Sequence, residues 1–187
     1  GDNEIQRFET KSDIEGNATF SINLPKTGAF NVMASALYEE VRYFAESQFI
    51  AHDKPLLLDL KIYDRTRNHE HITISSESAI VFQQLQNDSL LHVVQITTFE
   101  NSSEQAFIGA NDKTQSVLHI PLPPMAFDVQ NVSDPGSLAF DPITNQLYST
   151  VPALPGKNEV VVSYKCLYVS DTFVWAKTFL YPHNNIA

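Results

Sequence analysis

The chain has 187 residues, 43% of them hydrophobic and 11% aromatic, too apolar for a disordered polymer and long enough for one large β domain or two small ones. With 22 acidic residues against 12 basic, its formal net charge is −10, a balance that repels phosphate backbones and anionic lipid headgroups and excludes nucleic acid as an expected partner. Cys166 is the single cysteine, so neither an internal disulfide nor a cysteine-built zinc site can form.

Apolar residues recur with period 2 almost from end to end, the pattern of half-buried strands. In ATFSINL (18–24), Phe20, Ile22 and Leu24 share one face opposite Thr19, Ser21 and Asn23, following a turn at Gly16. Strands are predicted over 30–37 and 41–50, joined near Glu39-Glu40. There the alternation of Val41, Tyr43 and Ala45 with Arg42, Phe44 and Glu46 outweighs the partial helical character. A boundary is expected near His52-Asp53-Lys54-Pro55, dividing a smaller N-terminal β-sandwich portion (1–54) from a larger sandwich (55–187).

In LLLDLKIY (56–63), Leu58, Leu60 and Ile62 oppose Asp59 and Lys61. Further strands are predicted over 71–75, 79–83, 90–99 and 116–122. Pro121, Pro123 and Pro124 end the last of these, because proline cannot donate to a ladder. The connection marked by Asp134-Pro135-Gly136 and Asp141-Pro142 is expected to carry a short hairpin pairing 138–140 with 147–149. EVVVSYKCLYVS (159–170) and TFVWAKTFLY (172–181) read as two long strands turning at Ser170-Asp171. Strands recurring every ~8–12 residues between Gly, Pro and Asn clusters predict an all-β chain of antiparallel, Ig-like sandwich type.

In RTRNHEHITIS (65–75), a strand starting at His71 would put His69 and His71 on one face, where two imidazoles could share a metal. A third ligand would have to come from His92 or His119, both set among apolar strand neighbours, while Arg65 and Arg67 oppose a cation. The reading is a solvated strand start, with no metal and no other cofactor. For calcium, Asp112, Asp128, Asp134 and Asp141 lie in or near loops but form no D-x-[DN]-x-[DN]-G array, so they read as turn formers.

Nucleophilic catalysis has no G-x-S-x-G, S-x-x-K or H-E-x-x-H sequence to stand on, and the six glycines make no phosphate-cradling loop. Cys166 alternates with Tyr164 and Tyr168 and is expected to be a small buried hydrophobe. Phe173, Trp175, Phe179 and Tyr181 share one parity and read as a core stripe. If several of Tyr148, Tyr168, Trp175 and Tyr181 were instead exposed together, they would form a ligand platform. Sequons at Asn17, Asn87, Asn101 and Asn131 mark expected surface turns.

SDIEGNATFSINLPKTGAFNVMASALYEEVRYFAE (12–46) resembles the second half of a carboxypeptidase regulatory-like domain, a small β-sandwich appended to many extracytoplasmic proteins. Its opening strands would lie upstream of Gly1, and a chain that opens on glycine reads as a processed piece of something longer. The stretches LDLKIYDRT, VVQITTFEN, HIPLPPMAF and VPALPGKNEVVVSYKC, in that order, resemble uncharacterised bacterial extracytoplasmic β-sandwich domains. That resemblance implies a periplasmic, cell-surface or secreted location, and a membrane anchor following the C-terminus. It carries over no catalytic residue. The expectation is therefore a non-catalytic module contacting a protein partner in the cell envelope, with a carbohydrate- or small-ligand-binding sandwich using exposed aromatics, with or without calcium, as the alternative.

Overall fold

The computed structural model describes residues 7–22, 30–45, 48–50, 56–83, 90–110, 116–132, 137–141, 146–167 and 176–183. The protein is all-β and built almost entirely of antiparallel strands. Contacts divide it into two compact units. One comprises Gly1–Tyr38 with Arg42–Lys61, and the other Glu39–Val41 with Ile62–Ala187.

Among the described residues, four short strands fall in the first part of the chain: β1 (Phe30–Val32), β2 (Ser35–Tyr38), β3 (Val41–Phe44) and β4 (Gln48–Ile50). β1 pairs antiparallel with β4, Phe30 opposite Ile50, and β2 pairs with β3 across the expected Glu39-Glu40 turn. A two-residue hairpin loop of this hand needs positive φ at both positions, which Asn-Gly supplies easily. Glu39 and Glu40 adopt it at φ 45° and 70°, a cost of about 1–2 kcal/mol for each residue carrying a Cβ. Arg65 approaches the turn. Its Nε lies 3.3 Å from the Glu39 carboxylate and its Nη1 3.3 Å from that of Glu40, and Nη1 also donates to the Glu39 carbonyl at 3.1 Å.

The turn at Gly16 forms, with Asp13 Oδ1 accepting from the amides of Glu15 and Asn17. The strand expected after it does not: 17–22 has no ladder, and Phe20 is exposed. Alternation specifies a face, but a strand also needs a neighbouring segment to accept its hydrogen bonds. The same holds for 56–63, where Leu56, Leu58 and Leu60 are half-buried between exposed Leu57, Asp59 and Lys61 without pairing.

The second unit is a sandwich. Its larger sheet contains β6 (Ile72–Gln83), β7 (Leu90–Asn101), β10 (Ala126–Asn131) and β13 (Gly156–Leu167), in the order β10-β13-β7-β6. β7 and β13 are paired over twelve consecutive residues, from Gly156–Asn101 to Leu167–Leu90. The two strands predicted over 71–75 and 79–83 are one continuous strand, interrupted only by a bulge between Ile74 and Ser76. The bulge shifts side-chain parity by one, so a strict period-2 reading breaks there.

The opposing layer is a three-stranded sheet of β11 (Leu138–Asp141), β12 (Gln146–Ser149) and β9 (His119–Ile120), in that order. β11 and β12 form the expected hairpin, Leu138 opposite Ser149 and Asp141 opposite Gln146. The strand predicted over 116–122 shrinks to two residues ahead of its prolines. A short parallel pair, β5 (Arg65–Thr66) with β8 (Ala106–Phe107), flanks the sandwich.

Between the layers, Ile72, Ile74, Val93, Phe99, Val160, Val162, Tyr164 and Cys166 from the large sheet meet Phe107, Val117, Leu118, Ile120, Leu122 and Leu147. Fully burying each large side chain contributes roughly 1.5–3 kcal/mol. The expected long strand 172–181 is not seen over 176–181. That segment runs without a ladder, touching β6 through a parallel bridge of His183 to Ile74, whose amide donates to the Pro182 carbonyl at 2.8 Å. The turn at Ser170-Asp171 lies outside the described residues, as do Tyr168, Phe173 and Trp175.

Candidate functional site

The three-stranded sheet turns one face to the core and the other outward, and pairing in register sets the outward row. Tyr148 of β12 stands opposite His119 of β9, and Gln146 opposite Asp141 of β11. These four side chains line one side of an open cleft of about 440 Å³, which His69 and Ser116 also line. Buried Val117, Phe107 and Tyr181 form its floor. The Tyr148 and His119 rings are 6.1 Å apart and tilted by 42°. Ser116 Oγ lies 3.1 Å from His119 Nε2, and burial lowers the His119 pKa, favouring the neutral imidazole. The Tyr181 phenol donates to the Val117 carbonyl at 3.0 Å, and burial pushes its pKa up to about 12.

Two histidines and an aspartate therefore border one cleft. Among the described residues, however, no group of three His, Cys, Asp or Glu side chains is placed to hold a metal ion. The premise that His69 and His71 share a strand face is corrected: 69–71 is a short 3-10 turn, and β6 begins only at Ile72. Asn68 caps the turn by accepting from the Glu70 amide at 3.0 Å, a local bond that competes with extended pairing. His69 faces the cleft while His71 is exposed, its carbonyl bonded to the Ser102 amide. His92 is exposed on the far face of the large sheet, against Phe82.

Tyr181 is 4% exposed and so belongs to the cleft floor instead of an exposed platform, whereas Tyr148 is half-buried at its wall. Of the aspartates weighed for calcium, Asp128 is paired with Lys165 at 2.6 Å, which holds its carboxyl below the usual range; Asp112 and Asp134 lie outside the described residues. Cys166 is buried, and burial pushes its thiol pKa up. The sequon at Asn101 is not a surface turn. Asn101 is 2% exposed, and its amide donates to the carbonyls of Gln105 and Ala153 at 2.8 and 3.0 Å. Asn17 and Asn131 are accessible, and Asn87 lies outside the described residues.

A second polar centre, inside the sandwich, escaped the sequence reading. Gln95 of β7 is fully buried. Its Oε1 accepts from the Tyr164 phenol at 3.0 Å and from Lys177 Nζ at 2.7 Å. Its Nε2 donates to Thr97 Oγ1 at 3.0 Å and the Pro121 carbonyl at 3.2 Å, and lies 3.5 Å from Glu77 Oε2. Lys177 and Glu77 form an ion pair at 2.6 Å, their side chains only 5% and 14% exposed. The available signal was parity: Gln95 and Thr97 occupy inward positions between Val93 and Phe99, where a core strand ordinarily carries apolar residues.

No protein-family model matches this chain, and no match to it was found among curated proteins or solved structures. Among the described residues no helix is long and apolar enough to cross a membrane.

Proposed function

We propose that this chain is a non-catalytic, extracytoplasmic β-sandwich module of Ig-like type whose work is contact with another protein. The observation that carries the reading is the outward face of the large sheet. An antiparallel sheet with one solvated side normally turns polar residues to water. Here Ile80, Phe82, Phe127 and Val132 are 51%, 52%, 40% and 54% exposed, beside half-buried Val94, Ile96 and Val161. Register puts Phe82, His92, Lys165 and Phe127 in one row across all four strands. Exposed apolar side chains interspersed with His92 and the Lys165–Asp128 ion pair are the anatomy of a contact surface. The envelope location, and the likeness of the first part of the chain to carboxypeptidase regulatory-like domains, rest on sequence resemblance.

A photo-crosslinking residue at Phe82 is expected to capture one discrete protein adduct from the envelope fraction of source cells, and that adduct should disappear when Ile80→Glu is added. Failure to form an adduct, or the same adducts from a crosslinker at exposed Glu104 in the loop after β7, would contradict the proposal.

The cleft favours a second reading, a site for a neutral carbohydrate or similar polyhydroxylated ligand. The Tyr148 ring offers a stacking surface while Asp141 and Gln146 offer hydrogen bonds. Calorimetry against a panel of neutral oligosaccharides should find binding that weakens at least about tenfold in Tyr148→Ala, the loss of roughly 1.4 kcal/mol of contact. Binding that is indifferent to this substitution, or no binding at all, removes the reading.

A further inference from the structure

The buried centre around Gln95 has the arrangement of a reaction poised between two of its own side chains. We propose that Lys177 and Gln95 condense to an intramolecular isopeptide bond inside the sandwich, with Glu77 carrying the proton and Tyr164 stabilising the carbonyl oxygen.

Three conditions for aminolysis of a carboxamide meet here. The first is proximity. Lys177 Nζ lies 2.7 Å from Gln95 Oε1, and Gln95 Nε2 is held by Thr97 Oγ1 and the Pro121 carbonyl, which fix the amide plane. Holding two reactants together in this way replaces a bimolecular encounter and removes much of its entropic barrier. The second is exclusion of water, since Gln95, Thr97 and Tyr164 are buried and Lys177 is nearly so. Burial pushes the Lys177 pKa down, although Glu77 pulls it the other way, and so favours the neutral amine that can attack. The third is proton transfer. The two Glu77 oxygens span the site, Oε1 2.6 Å from the amine and Oε2 3.5 Å from the nitrogen that must leave.

The step balances without an outside reagent. Glu77 takes a proton from the Lys177 ammonium, and the freed Nζ lone pair attacks Gln95 Cδ. The carbonyl electrons move onto Oε1, where the Tyr164 O–H at 3.0 Å stabilises the developing charge. Glu77 passes the proton to Nε2, then takes the second proton from Nζ, which attack has left cationic, and hands it to the same departing nitrogen as the Cδ–Nε2 bond breaks, so that nitrogen leaves as ammonium. In sum, an ammonium and a carboxamide become a secondary amide and ammonium, and Glu77 is again a carboxylate. The product ties β7 to the segment that runs past β6, residues 82 apart in sequence.

The experiment is intact-mass spectrometry of the purified full chain after denaturation. The expected mass is one ammonia below that of the sequence, and proteolysis should yield a branched peptide containing both Gln95 and Lys177. Glu77→Gln and Lys177→Arg should each restore the full sequence mass and lower the thermal midpoint. A wild-type mass equal to the sequence after prolonged incubation in the folded state overturns the proposal. So does an ammonia deficit that persists in Lys177→Arg. Should either variant fail to fold, the wild-type mass and its peptide map still decide the question.

Discussion

Replacing Gly109 with alanine is expected to destabilise the sandwich unit by about 3 kcal/mol or more, one of the largest losses from any single added methyl group in this protein. Gly109 is buried at φ +89°, a conformation that side-chain-bearing residues rarely adopt. A Cβ there would sit 2.2 Å from the Ser116 carbonyl oxygen and 3.1 Å from its carbon, and both are backbone atoms that cannot swing aside. The damage should reach the cleft, because Ser116 and Val117 line it and the Gly109 carbonyl accepts from Arg67 Nη1 at 3.3 Å. Gly156 is the internal control. It shares the conformation, at φ +90°, but has open space where the Cβ would go, so Gly156→Ala should cost only about 1–2 kcal/mol. Urea unfolding of the two variants separates steric from conformational cost, and equal losses would refute the argument.

Truncating Phe99 to alanine is the second large effect, expected at about 3–5 kcal/mol. Phe99 is fully buried in β7, flanked in register by Ile74 and Asn158, and meets Tyr181 edge-on with ring centres 5.8 Å apart and planes at 88°. The cavity would open between two strands locked in long ladders, so the surroundings can collapse only partly. A fall in thermal midpoint of roughly 10–20 °C follows for a unit of this size. Phe99→Leu, which keeps most of the volume, should lose roughly half as much or less. A change below about 1 kcal/mol in Phe99→Ala would mean that the two layers do not pack as described. Since Tyr181 also floors the cleft, Phe99→Ala should weaken any ligand bound there as well.

How far the sequence could be read depended on what each local pattern encodes. Hairpins were legible because turn and pattern are contiguous: Glu39-Glu40 turns where alternation breaks, and the hairpin pairing 138–141 with 146–149 follows Asp134-Pro135 and has Asp141-Pro142 at the end of its first strand. The long strands β7 and β13 were legible because apolar alternation there runs for many residues. The strand over 18–24 was overread in its described part, as was 56–63, because alternation cannot say whether a neighbour is present to pair with. The bulge at Ser75 was invisible, since a one-residue insertion looks like an interruption between two strands. His69 and Tyr148 reach one cleft only after folding, across a separation that no local pattern records. The Gln95 centre was hidden for the same reason: Glu77, Tyr164 and Lys177 come from three separate stretches, and only Gln95 and Thr97 showed an anomaly in their own sequence.

The edge of the large sheet has a consequence for behaviour at high concentration. Among the described residues, β6 is the terminal strand of the large sheet and its outer side carries the His183 bridge at Ile74; a sheet edge is in general a template to which a second molecule can add. Two features resist that fibril-like growth. The bulge at Ser75 twists the edge away from a flat template, and Glu77 points inward beside Gln95 and Lys177 of the same chain. An incoming strand from another copy would find the docking register broken near one end and would gain no partner for that carboxylate. An inward-pointing charge of this kind disfavours edge-to-edge addition.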